Sequence, residues 1–134
     1  MTLPADHLAF LEDNHAAAMV TLRADGTPHV ARVGVGLVDG KLWSSGTQGR
    51  IRTKHLRRDP RSTLFVFDTD DAWRWLGLEA TVTILDGSDA PDLNLALYRV
   101  LAGEPADTAE YLEAMKREER LIYEFEISRS YGIR

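Results

Sequence analysis

Apolar and polar residues alternate with a period of two over much of this chain, and each such stretch predicts a strand. The run AAAMVTL, Ala16 to Leu22, is apolar almost throughout and reads as a buried strand. Arg23-Ala24-Asp25-Gly26 follows as a hairpin turn, Asp-Gly being a strong short-range turn signal. Pro28 to Val38 then alternates, with Ala31, Val33, Val35 and Leu37 on one face and Val30, Arg32, Gly34 and Gly36 on the other. Asp39-Gly40 makes a second hairpin turn into the strand KLWSS. Ser62 to Phe67, STLFVF, is apolar on both faces, which places it centrally in a sheet. Trp73 to Leu85 is predicted as a long strand, with Leu76, Leu78, Ala80, Val82 and Ile84 on its inner face. Leu121 to Ile127 supplies the last.

Four stretches keep helical spacing instead. Residues 4–14 form a short helix around Leu8 and Leu11, and a second runs from the region of Arg50 to a stop at Pro60. Leu93, Ala96, Leu97, Val100 and Leu101 mark a third, ended by Gly103. A fourth begins near Asp107, with Glu110 completing a capping box and Tyr111, Leu112 and Met115 as its apolar stripe. The pattern is therefore mainly β with peripheral helices: one domain over residues 1–134, its six mostly antiparallel strands closing into a small barrel.

Two features of the strands have more than one reading. Gly34 and Gly36 on one face admit either a flat ligand close to the backbone or tight packing at a bulge. Trp73 and Trp75 on one face make an aromatic ledge, read as a subunit interface in preference to a ligand wall or a barrel-packing pair.

Charge sharpens the picture. The chain carries a net −5, yet Ser44 to Arg61, SSGTQGRIRTKHLRRDPR, holds six of its sixteen Lys and Arg and one of its twenty-one acids. That segment is +5 against −10 for the remainder. Small flexible residues lead into a helix N-terminus among cations, the makings of an anion site, with a solvated basic helix as the alternative. One basic helix suits a small anion; an acidic remainder argues against nucleic acid as a partner, which needs a broad basic surface. No stretch is long and apolar enough to span a bilayer, so no membrane partner is expected. The acidic N-terminus MTLPADHLAF lacks a signal-peptide core, and there is no cysteine; both fit a cytoplasmic location.

Candidate catalytic chemistry is sparse. Gly34, Gly36 and Gly40 do not give a dinucleotide fingerprint, and His7, His15, His29 and His55 lack metal-ligand spacing, so no metal is expected. No serine sits in a nucleophile elbow. Any redox chemistry would belong to a bound anionic cofactor, its phosphate on Arg50, Arg52, Thr53 and Lys54 and its ring along the glycine-bearing face of Pro28 to Gly36.

The hairpins ADGTPHV and DGKLW, followed by GRIRTKHLRRDPRSTLFVF, resemble the split β-barrel family that includes pyridoxamine 5′-phosphate oxidases. More narrowly, Arg50 to Arg61 with the later ALYRVLAGE, YLEAMKREER and ISRSYGIR is similar to the actinobacterial reductases that use the deazaflavin coenzyme F420. The resemblance implies a six-stranded antiparallel split barrel of the FMN-binding type, and a homodimer with cofactor at its interface. It implies phosphate contacts from Arg50 and Arg52, a hydroxyl from Thr53 and nearby charge from Lys54. Ser45 and Thr47 would line the ring or ribityl region, Val30 and Arg32 would flank the ring, and Trp75 would lie near the interface. Arg57, Arg58 and Arg61 either reach a polyglutamate tail or pack the Asp59-Pro60 corner. The activity implied is hydride transfer from reduced F420 to a small organic acceptor. FMN as cofactor, or a non-catalytic flavin or deazaflavin carrier, are the alternatives.

Overall fold

A computed structural model describes residues 2–133. The elements are α1 (Ala5–Asp13), β1 (Ala16–Leu22), β2 (Pro28–Gly34), β3 (Gly36–Val38), β4 (Lys41–Thr47), α2 (Ile51–Arg58), β5 (Arg61–Phe67), β6 (Trp75–Leu85), α3 (Ala90–Ala102), α4 (Thr108–Arg117) and β7 (Arg120–Gly132). All pairings are antiparallel, in the order β2-β1-β5-β6-β7-β4-β3. The two ends of that order, β2 and β3, are consecutive in the chain and meet at Val35. The sheet therefore curls back on itself into a split barrel, and across the seam the Ser44 hydroxyl donates to the Gly34 carbonyl at 2.7 Å.

The hairpins follow their turn chemistry. Asp25 accepts from both the backbone N–H and the hydroxyl of Thr27, and Gly26 takes φ 86°, which a side chain would strain. At the start of α4, Asp107 accepts from the Glu110 N–H, as the sequence predicts.

Three strands differ from the periodicity. The stretch Pro28 to Val38 is two strands, β2 and β3, because the chain changes sheet edge at Val35; seven strands result where six are predicted. The strand predicted from Trp73 begins at Trp75. Asp68 captures the N–H groups of Asp70 and Asp71 and the Arg74 guanidinium, which holds residues 68–74 in a turn. Trp73 is left 84% exposed, so the two-tryptophan ledge does not form. The last strand extends past Ile127, because after a register shift at Glu79/Ala80 its final residues pair with the start of β6.

Inside the barrel, Leu11, Met19, Leu64, Val66, Leu76, Leu78 and Leu121 are completely buried, with α1 plugging one end. Each buried leucine contributes about 2 kcal/mol over an exposed one. A smaller cluster of Trp43, Leu97 and Ile122 lies under α3. That packing accounts for the two strand glycines: a Cβ at Gly36 would sit 3.1–3.2 Å from Val100, Leu101 and Leu97, and one at Gly34 would lie 3.5 Å from Leu101. The helix covers Gly36, which is buried, so a ligand ring does not lie over it, whereas Gly34 stays exposed. Pro28, Val30, Arg32 and Gly34 of that face stay open.

Candidate anion and cofactor site

The basic segment leaves β4 at Thr47 and turns through Gln48 and Gly49 into α2. Gln48 N–H donates to the Glu119 carbonyl (3.1 Å) and Arg50 N–H to the Thr47 carbonyl (3.3 Å), fixing the approach. Arg50 is the N-cap residue and offers no capping side chain. The N–H groups of Thr53 and Lys54 both return to the Arg50 carbonyl. Those of Ile51 and Arg52 have no intramolecular partner among the described residues, and they point with the positive end of the helix dipole.

The six bases of the segment divide into two groups of three. Arg57 pairs with Asp86 (2.9 Å) and Gln48 (2.7 Å), Arg61 grips Asp59 (2.7 Å), and Arg58 donates to the Leu22 carbonyl. Only Arg61 packs the Asp59-Pro60 corner as the packing alternative has it; Arg57 and Arg58 tie the helix to other elements instead, and all three have partners within the chain. Arg50, Arg52 and Lys54 have no carboxylate partner among the described residues.

Arg52 is the most constrained. Its Nε is buried without a hydrogen-bond partner, and its guanidinium lies over the Tyr123 ring at 5.9 Å. Burial pushes its pKa down, and neighbouring Arg50 and Arg120 push the same way. A cation so placed is stabilised by a dianion more than by water, so the donor set fits a phosphate. Arg120 joins from β7, half-neutralised by Glu118 at 2.8 Å. Nothing in the linear sequence joins it to the segment, because β7 meets β4 only in the curled sheet.

The remaining predicted residues fall in three places. Thr53 is completely buried; its hydroxyl donates to the Thr47 carbonyl at 2.7 Å and lies 2.5 Å from the Tyr123 hydroxyl. Its proton is therefore committed inside the protein. Ser45 donates to Asn94 of α3 at 2.5 Å, and Thr47 is half-buried just beyond it, both on the outer face of β4. Val30, 61% exposed, and Arg32 stand on the open edge strand β2, which the barrel seam brings beside β4. Trp75 is three strands from β2, on the order of 14 Å at normal strand spacing. It stacks on Phe65 at 5.3 Å, away from the basic helix of its own chain. Behind Ser45, Asn94 of α3 accepts from the serine hydroxyl, and the rings of Tyr98 and Tyr111 pair at 4.9 Å, with the Tyr111 hydroxyl on the Asn94 carbonyl; the sequence does not single out Asn94 or Tyr98.

The site is thus an open ledge at the top of the seam, not an enclosed cavity. An apolar cavity of about 450 Å³ lies elsewhere, at the barrel mouth between Leu3, Leu8, Leu37 and Phe125. No cluster of three or more metal-ligating side chains occurs among the described residues, and no helix is long and apolar enough to cross a membrane.

Comparison with known proteins adds to this geometry. The family described as pyridoxamine 5′-phosphate oxidase matches residues 3–133. An F420H(2)-dependent biliverdin reductase of Mycobacterium tuberculosis is 36% identical over 94 residues, covering 66% of this chain and 64% of that protein, so the match spans under two thirds of the relative. Two solved structures share the fold. A conserved hypothetical protein of M. tuberculosis superposes with a TM-score of 0.82 at 18% identity, over 99% of this chain and 85% of that one. An F420 reductase superposes with a TM-score of 0.74 at 23% identity, over 96% and 98%.

Proposed function

This chain belongs to the pyridoxamine 5′-phosphate oxidase family, and from that premise we propose that it is an F420-dependent oxidoreductase that reduces a small unsaturated or carbonyl-bearing molecule. The observation that carries the proposal is Arg52, a desolvated guanidinium with an unpartnered Nε beside the free N–H groups of an uncapped helix. Arg50, Arg52 and the Ile51 and Arg52 N–H groups hold the cofactor phosphate, with Lys54 adding charge at the rim. Thr47 and the Ser45–Asn94 pair wall the groove on one side, and Val30 and Arg32 bound it on the other. Bound F420, when reduced, supplies a hydride. The chain's own residues bind and orient, and positioning of the two reactants accounts for much of the rate enhancement.

A homodimer belongs to the same proposal. The outer face of β2, β1, β5, β6 and β7 places Val30, Phe65 and Tyr131 in the open (61%, 42% and 41% exposed), with Trp75 stacked among them. A second copy covers that face and brings its own Trp75 towards the groove. FMN, which also carries a phosphate on its ribityl chain, is the alternative cofactor.

The test is turnover. Reduced F420 mixed with the protein and biliverdin, the substrate named for the 36% identical relative, or with a panel of enones and quinones, is followed by the return of oxidised-cofactor absorbance. The expected result is protein-dependent reoxidation that Arg52→Ala reduces by about tenfold or more. F420 bound without reoxidation by any acceptor would make the protein a carrier and overturn the enzymatic reading.

A further inference from the structure

We propose that Tyr123, a core residue of β7, is the positioning residue of the anion site, holding both the first turn of α2 and the Arg52 guanidinium in place for the ligand. The inference rests on the anion-site reading above and deepens it.

Tyr123 is fully buried on the inner, otherwise apolar face of β7, between Leu121 and Phe125. A phenol there needs a hydrogen-bond partner, because an unpaired buried hydroxyl is strongly destabilising. Its partner is Thr53 Oγ1 at 2.5 Å, and the same oxygen lies 2.7 Å from the Thr47 carbonyl. A carbonyl has no proton to give, so Thr53 donates to Thr47 and must accept from Tyr123. The proton order is thereby fixed: Tyr123 to Thr53 to Thr47. This relay runs from the barrel core to both ends of the 47–53 loop, the loop that carries Arg50 and Arg52.

The ring does a second job. The Arg52 guanidinium lies over it at 5.9 Å, a cation–π contact that aims the side chain while leaving its Nε unpartnered. Room for the ring comes from Gly46 on β4, where a Cβ would collide with Tyr123. One side chain therefore sets the third residue of the helix through its hydroxyl and the second through its ring.

The test separates a positioning role from a structural one by a double-mutant cycle. Inorganic phosphate and F420 are titrated calorimetrically against wild type, Tyr123→Phe, Arg52→Ala and the double variant, with circular dichroism and thermal unfolding recorded for each. Tyr123→Phe keeps the ring and loses the hydroxyl; it is expected to weaken both ligands about three- to tenfold. In the Arg52→Ala background the same change should still weaken the residual binding, because the hydroxyl acts on the turn that carries Arg50 and the free N–H groups, while the ring that aims Arg52 is kept. Thr53→Val should reproduce the loss and Thr53→Ser should not, which gives the same test from the helix side if Tyr123→Phe does not fold. Ligand affinity unchanged in Tyr123→Phe and in Thr53→Val would overturn the positioning role while leaving the anion site standing. Binding of neither ligand by wild type would overturn both.

Discussion

Arg52 and Thr53 are neighbours in the sequence and do opposite things in the fold. Both belong to a motif that names them as phosphate contacts, yet Arg52 reaches the ledge and Thr53 turns into the core, its hydroxyl taken by Thr47 and Tyr123. Residue type and spacing indicate an anion site; which face of the first helical turn each side chain takes depends on β7, seventy positions away. The same holds for Arg57, Arg58 and Arg61, whose partners Asp86, Leu22 and Asp59 convert half of the basic segment into bracing. His55 is another residue whose role emerges only in the fold. It is buried against Thr21, with its ring 5.3 Å from that of His29. Desolvation pushes its pKa down, and His29, Arg58 and Arg23 add to that push. The folded state therefore resists protonation that the unfolded chain accepts near pH 6.5. Stability should fall as pH drops below that value and level off once the folded pKa is passed. Thermal unfolding between pH 7.5 and 5.5 is expected to show a drop of about 3 °C that His55→Gln removes, and an equal slope in the variant would contradict the assignment.

At the scale of elements, local signals were sufficient wherever the element is made locally. The Asp25-Gly26 turn, the Asp107–Glu110 cap and the apolar runs of β1 and β5 all lie where the sequence predicts them. The predictions that differ are long-range. Trp73 satisfies a period-two pattern but is pulled into a turn by Asp68. Gly34 and Gly36 offer a face to a flat ligand, and α3 takes the Gly36 end of it. The outer face of the sheet was legible only in part: Phe65 reads as one side of a central strand, and it is the register Ala18–Phe65–Gly77–Tyr131 that lines up an apolar row, with Arg32 at its end. This row predicts self-association. Sedimentation should give a particle of twice the 15.0 kDa chain mass, and Phe65→Arg should return it to a monomer with unchanged circular dichroism. A wild-type monomer at the concentrations used for binding would contradict the dimer.

For the whole molecule, the decisive step is the curl of the sheet. β2 and β4 are separated by four strands in the sheet order, yet they meet at the seam through Ser44 and Gly34. That closure joins β2 to β4 at Gly34 and Ser44, and β7 brings the Tyr123 ring beneath Arg52. The fold class was readable from periodicity because each strand carries its own pattern. The site was readable as a charge imbalance, +5 within a chain of −5, but its walls were not, since no single segment contains them. In the proposed function, the unpaired bases at the start of α2 hold the phosphate of F420. Parallel equilibrium titration of F420 and FMN against wild type and Arg52→Ala tests it most directly. The prediction is tighter binding of F420 than of FMN by wild type, and a loss on the order of tenfold to a hundredfold in Arg52→Ala, the range for one charged hydrogen bond. F420 affinity that Arg52→Ala leaves unchanged, or no binding of either cofactor, would contradict it.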